Sequence, residues 1–174
     1  TATVGAIPTA EPGVWPTPYV LATLNLPAGS QPNGVALDAA GNTAYVAFHG
    51  VDHSGRTLGV VSTDPLNLAS TVEIDSEPAG PNQVAVVRMQ GTNPLVAVTK
   101  RQTNKLVLVA PMATPQAMID LGVGAMPNGV TAAGDYLYTA NFGTDDVSIF
   151  DRDTLAWART LPVGDEPSLF AADP

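Results

Sequence analysis

The chain has 174 residues, 45% of them apolar and 13% charged, with a formal net charge of −9 and no cysteine. This length supports one sizeable core, and the apolar share excludes a disordered chain. The acidity and the seven scattered basic residues argue against nucleic acid and anionic membranes as partners, because neutralising phosphates takes a basic stripe. The absence of cysteine excludes disulfides, iron–sulfur clusters and thiol catalysis.

The chain starts at Thr1, and a processed, trimmed or partly observed sequence is expected on that ground. No signal peptide is evident, and no apolar run approaches the roughly 20 residues of a membrane span. Sixteen glycines and sixteen prolines punctuate the sequence, as expected of short strands joined by tight turns.

In chain order, Thr3 to Ile7 reads as a strand. Pro8 to Pro18 reads as an extended proline-rich arm, suited to reaching a neighbouring subunit. Tyr19 to Leu26 reads as a further strand, closed by Pro27-Ala28-Gly29. A repeat then begins. Pro32-Asn33-Gly34-Val35-Ala36-Leu37 recurs as Pro81-Asn82-Gln83-Val84-Ala85-Val86, as Pro127-Asn128-Gly129-Val130-Thr131-Ala132, and in degenerate form as Pro167-Ser168-Leu169-Phe170-Ala171-Ala172. The leading prolines lie 49, 46 and 40 residues apart, spacings that suit a four-stranded blade.

In the first repeat, strand a is expected over Asn33–Leu37, b over Thr43–Phe48, c over Thr57–Ser62 and d over Ser70–Ile74. Turns fall at Asp38–Asn42 and at Asp64–Asn67. In the second, b is expected over Leu95–Thr99 and c over Lys105–Val109, with a wide a–b turn from Met89 to Pro94. In the third, b, c and d fall at Tyr136–Asn141, Asp145–Phe150 and Ala156–Leu161. Ser168–Ala172 reads as one more strand a. The expected fold is therefore an all-β propeller with about three full four-stranded blades and partial blades at each end. Residues 1–18 form an arm or partial strand, and 19–174 the blades, with repeats near 32–80, 81–126, 127–166 and 167–174.

The third repeat, through Pro127-Asn128-Gly129-Val130, Tyr138-Thr139-Ala140-Asn141 and Asp145-Asp146-Val147-Ser148-Ile149-Phe150-Asp151, resembles the YVTN-type β-propeller repeat. That pattern runs from a Pro-x-Gly-Val strand through a Tyr-Val-x-Asn strand to a Val-Ser-Val-Ile-Asp strand. The similarity covers roughly residues 19–174. The first blade departs at Val46-Ala47-Phe48-His49, where the Asn is missing, and the second at Leu95-Val96-Ala97-Val98, where the Tyr is missing. The resemblance implies a propeller. It leaves activity open, since such repeats occur in extracellular and surface-layer proteins and in lactonases, streptogramin lyases and haem-binding subunits.

Packing explains the pattern. Apolar positions of a and b face neighbouring blades. Small residues such as Gly34, Ala36, Gly129 and Ala132 let the inner strands converge, and Tyr45, Tyr138 and Phe150 fill the wider gaps outside. Each blade needs a neighbour on both sides. A seven-bladed ring takes about 300 residues at roughly 40–45 per blade, so this chain supplies about half. A fragment, a half-ring completed by another chain or by missing blades, and a small four-bladed ring all remain open.

Propeller topology puts b–c and d–a loops on one face, the default binding surface. The candidate binding residues are His49, Asp52, His53, Arg56, Lys100, Arg101 and Asn141. His49, Asp52 and His53 form an H-x-x-D-H cluster in a glycine-flanked, flexible loop, a weak candidate for a borderline metal. They include the chain's only two histidines, so any histidine chemistry sits there. Lys100, Arg101 and Lys105 are the one basic cluster, read as an exposed loop. Asp145 and Asp146, as neighbours on a strand, point to opposite faces and cannot clamp one bond. Gly122-Val123-Gly124 precedes a strand, so it is no dinucleotide fingerprint. Trp15 and Trp157 are expected in core or inter-blade packing. No catalytic constellation and no cofactor motif is readable. The expected role is a non-catalytic binding or scaffold module of an extracytoplasmic protein or assembly: secreted, periplasmic or cell-surface. The alternatives are part of a propeller enzyme or cofactor-binding subunit, and a carbohydrate-binding propeller.

Overall fold

The computed structural model describes residues 22–90, 93–110 and 115–171. The expected strand Thr3–Ile7, the arm Pro8–Pro18 and Trp15 lie outside the described residues. Among the described residues, twelve strands form three antiparallel four-stranded sheets, each meandering in chain order. The first blade comprises β1 (Pro32–Leu37), β2 (Thr43–Phe48), β3 (Thr57–Thr63) and β4 (Leu66–Glu73). The second comprises β5 (Pro81–Gln90), β6 (Asn93–Lys100), β7 (Lys105–Val109) and β8 (Pro115–Asp120). The third comprises β9 (Pro127–Ala133), β10 (Tyr136–Asn141), β11 (Asp146–Asp151) and β12 (Trp157–Pro162). These are propeller blades, with β1, β5 and β9 side by side as the inner strands.

The core follows from the two-residue period of the strands. On one face of the second blade, Val84, Val96, Val98, Val107 and Val109 pack against Tyr45, Ala47 and Leu58 of the first. On its other face, Ala85, Leu95, Ala97, Leu106 and Leu108 pack against Val130, Leu137 and Phe150 of the third. A run that is apolar at every position is what a blade buried on both faces requires. Backbones touch where the inner strands converge: a Cβ added to Gly34 would lie 2.5 Å from the Asn82 carbonyl oxygen.

Several expected boundaries differ. β4 starts at Leu66 rather than Ser70, because Leu66 and Leu68 pack with Leu26, Val46 and Val61 on the outer face of the first blade. The expected Met89–Pro94 turn is instead continued pairing of β5 with β6, Met89 opposite Pro94 and Gln90 opposite Asn93. Asp145 stands outside β11, in a turn at φ 56°. Over residues 22–26 the expected strand reduces to an isolated bridge at Thr23, although Leu24 and Leu26 still cover the first blade. Residues 168–171 form no ladder. Trp157 is 65% exposed on β12, since no further described blade covers that outermost strand.

The fourth copy of the repeat nevertheless keeps its backbone signature. Gln31, Gly80, Met126 and Glu166, the residues before the four leading prolines, all have φ between 41° and 55°. Beyond Pro167, the Ser168 carbonyl oxygen would lie 2.6 Å from a Cβ at Gly129, mirroring the Gly34–Asn82 approach. Phe170 packs on Tyr138 with ring centroids 6.3 Å apart. Residues 166–170 therefore take the place of an inner strand a.

Candidate functional site: the mouth of the inner strands

Each inner strand carries the same irregularity. Pairing slips by one residue just after the leading proline, between Pro32 and Val35, between Pro81 and Val84, and between Ala140 and Asn141 opposite Asn128. A β-bulge re-aims a side chain, and here it frees the asparagine that follows each proline. The three asparagines form a ladder across the blades. Asn33 Nδ2 donates to Asn82 Oδ1, and Asn82 Nδ2 donates to Asn128 Oδ1 and, at 3.1 Å, to the Asn128 carbonyl. Thr99, wholly buried, donates to the same carbonyl at 3.1 Å and accepts from the Gln83 N–H at 2.9 Å.

The strand register also makes His49, Arg101 and Phe142 equivalent. Each follows the residue paired with a leading proline: Phe48 with Pro32, Lys100 with Pro81, Asn141 with Pro127. The Arg101 guanidinium lies 4.4 Å from the Phe142 ring centroid, a cation–π contact, and donates to Asn128 Oδ1 at 3.3 Å.

His49 and His53 meet edge to face, with His49 Nε2 2.5 Å from His53 Nδ1. His49 Nδ1 lies 3.0 Å from the Pro81 carbonyl oxygen. A carbonyl only accepts, so His49 carries its proton on Nδ1. Its Nε2 then accepts in the neutral pair, His53 donates from Nδ1, and His53 Nε2 is left with a lone pair. The loop holding them is a hydrogen-bonded turn: Val51–His53 form a 3₁₀ turn, and the Gly55 N–H donates to the His49 carbonyl at 2.7 Å. Gly50 sits at φ 76°, and a Cβ there would lie 2.2 Å from the Gly55 nitrogen, so only glycine fits this closure.

These groups line one cleft of about 400 Å³, between Asn33, His49, His53, Asn82, Gln83 and Arg101 on one side and Asn128, Ser168 and Leu169 on the other. Its lining contains no carboxylate, although the chain carries a net charge of −9. A second cleft, of about 360 Å³, lies beside the first blade; Arg56 is its only charged side chain.

Of the seven sequence candidates, the structure brings His49, His53 and Arg101 together. Asp52 is exposed in the 3₁₀ turn and does not line the cleft. Among the described residues no three His, Asp or Glu side chains converge as metal ligands. Arg56 pairs with Glu73 at 3.3 Å and donates to the Ser76 carbonyl at 3.1 Å. Asn141 is buried, donating to Asp146 Oδ1 at 2.6 Å and Ser148 Oγ at 2.8 Å. Lys100 corrects the exposed basic loop. It ends β6, is wholly buried, and pairs with Asp75, because both faces of β6 are covered by neighbouring blades and the two-residue period puts Lys100 on the Val96–Val98 face, toward the first blade. Burial pushes the Asp75 pKa up, but hydrogen bonds from Lys100 and from the Glu77 and Ser76 backbone N–H groups, with the Lys100 charge, hold it below the ordinary carboxylate range. The residues missed from sequence are Asn33, Asn82, Asn128, Gln83, Ser168 and Leu169. For the three asparagines the signal was the repeated Pro-Asn pair, read as the start of strand a and not as a site.

No family model and no curated protein matches the chain. Solved structures do, as folds. Virginiamycin B lyase from Staphylococcus aureus superposes with a TM-score of 0.68 at 14% identity, covering 85% of this chain and 48% of the lyase. A 6-phosphogluconolactonase-like protein from Bacteroides fragilis gives 0.62 at 20%, covering 88% and 44%. Kuenenia stuttgartiensis hydrazine synthase gives 0.66 at 16%, covering 86% and 40%. The chain thus spans less than half the length of each of these structures. No helix among the described residues is long and apolar enough to cross a membrane. The likeness establishes a β-propeller arrangement of blades.

Proposed function

We propose that this chain is a binding module of an extracytoplasmic β-propeller of the YVTN-repeat type, with its ligand site at the mouth of the inner strands. The observation that carries this reading is the convergence of His49, His53 and Arg101 with the Asn33–Asn82–Asn128 ladder around one cleft. Five separate segments supply those groups, and a rigid sheet stack holds them. That is the usual build of a small-molecule site on a propeller face.

In this reading residues 19–174 are the blade unit and residues 1–18 an arm toward a neighbour. Further blades, from more of the polypeptide or from a partner chain, complete the ring. The partial coverage of the full propellers supports that. Native mass spectrometry of the intact particle tests it, and a lone, stable 174-residue monomer would sink it. The binding role is tested by NMR titration of the intact particle, with this chain ¹⁵N-labelled, against a fragment library. Saturable shifts at His49, Arg101 and Asn128 without turnover are expected; hits only elsewhere would refute the site.

One observation favours a catalytic alternative: the lone pair on His53 Nε2 stands at the cleft as a base. Propeller neighbours include a lyase and a lactonase-like protein. Incubation with quinupristin, the ligand seen with the Staphylococcus lyase, and with a simple sugar lactone, followed by mass spectrometry, decides between binding and turnover.

A further inference from the structure

We infer that the cleft at the mouth of the inner strands is an oxyanion site, taking the carboxylate or phosphate of a small hydroxyl-bearing ligand. This rests on the reading of the cleft as the ligand site. Three observations carry it.

Charge comes first. The chain is acidic, yet the lining holds Arg101, two histidines and no carboxylate. A lining that holds a guanidinium and keeps carboxylates out gives this cleft a positive local potential on an acidic chain.

Donor and acceptor accounting comes second. Asn82 Oδ1 accepts from Asn33, and Asn128 Oδ1 accepts from both Asn82 and Arg101. The ladder consumes these acceptors internally. Asn128 Nδ2, the Gln83 amide and the remaining N–H groups of Arg101 are left as donors, against Asn33 Oδ1, Gln83 Oε1 and the His53 lone pair as acceptors. A cleft with surplus donors selects a ligand rich in acceptors, and a guanidinium fork fits two oxygens of one carboxylate or phosphate.

The histidine pair comes third. His49 Nδ1 is committed to the Pro81 carbonyl and only one N–H fits between His49 Nε2 and His53 Nδ1. His53 Nε2 is therefore the ring nitrogen of the pair left to the cleft, and its lone pair takes the hydroxyl of a ligand whose oxyanion sits on Arg101.

The test is isothermal titration calorimetry on the intact particle that contains this chain, with D-glucuronate, glucose 6-phosphate and uncharged D-glucose, and NMR mapping of the bound face. At least one anion binds more tightly than glucose by about tenfold or more, and which one binds identifies the carboxylate or phosphate source. R101Q loses that preference and R101K keeps part of it, because lysine retains the charge without the fork. Glucose binding as tightly as the anions at the same residues overturns the oxyanion assignment while leaving the ligand site intact. Anion binding that leaves His49, Arg101 and Asn128 unshifted overturns both. Failure of both anions to bind overturns the oxyanion assignment, and the fragment titration then judges the site on its own.

Discussion

The ammonium of Lys100 and the carboxylate of Asp75 form an ion pair that ties the end of β6 to the segment leaving β4, with Lys100 fully removed from solvent and the Asp75 side chain 14% exposed. It clasps the first blade to the second. Replacing Lys100 by methionine leaves a largely buried carboxylate without its cation, which costs about 3 kcal/mol. Denaturant unfolding of K100M, D75N and the double variant checks this. The double variant is expected to be markedly more stable than the sum of the singles implies, since it removes both charges.

The same pair sets an acid limb. The folded pKa of Asp75 lies below its ordinary value, so its contribution is fully present above the unfolded pKa and is lost as pH falls through the folded one. Unfolding free energy therefore drops on acidification below about pH 4, and D75N shows a shallower drop. Asp151 contributes a limb of its own. The backbone N–H and hydroxyl of Thr154 hold its carboxyl below the ordinary range, so D75N removes only part of the slope.

Gly34 is the point of closest approach between the first two inner strands. A methyl group there meets the Asn82 carbonyl oxygen and, at 2.7 Å, Gln83 Cα, backbone atoms that move only if a blade moves. G34A is expected to destabilise by about 2–3 kcal/mol. G129A meets the backbone of Ser168 and Leu169, which belong to no ladder and can shift, so its cost is smaller. Comparing the two melting temperatures tests the difference.

Asp145 is a latch. Its carboxylate accepts from the Glu166 N–H at 2.9 Å, as Asn104 Oδ1 accepts from the Met126 N–H at 2.9 Å one blade earlier. Both latch residues have positive φ, 56° and 55°. Asparagine evidently serves at this position, so D145N is expected within about 0.5 kcal/mol of wild type, whereas D145A loses the cap and strains the left-handed backbone, costing about 1–2 kcal/mol. Equilibrium unfolding measures both. Loss of stability in D145N as large as in D145A would show that charge, not geometry, is what the turn needs.

The propeller was legible because its cause is local. Short apolar, β-branched and aromatic runs bounded by turn residues specify strands locally, and Thr43–Phe48, Lys105–Val109 and Tyr136–Asn141 read from sequence coincide with β2, β7 and β10. The recurrence of a proline–asparagine pair at Pro32, Pro81 and Pro127 marked the three full blades. What surrounds each side chain was decided only by the stacking of blades. Lys100 reads as a loop cation until Asp75, 25 residues upstream, closes on it. Arg56 and Asn141 read as site residues until Glu73, Asp146 and Ser148 occupy them. The asparagine ladder spans residues 33, 82 and 128, separations across which no sequence pattern conveys contact. Strand formation depends on side-chain period, whereas a site depends on which distant backbones a bulge and a glycine allow to meet, and only the tertiary fold sets that.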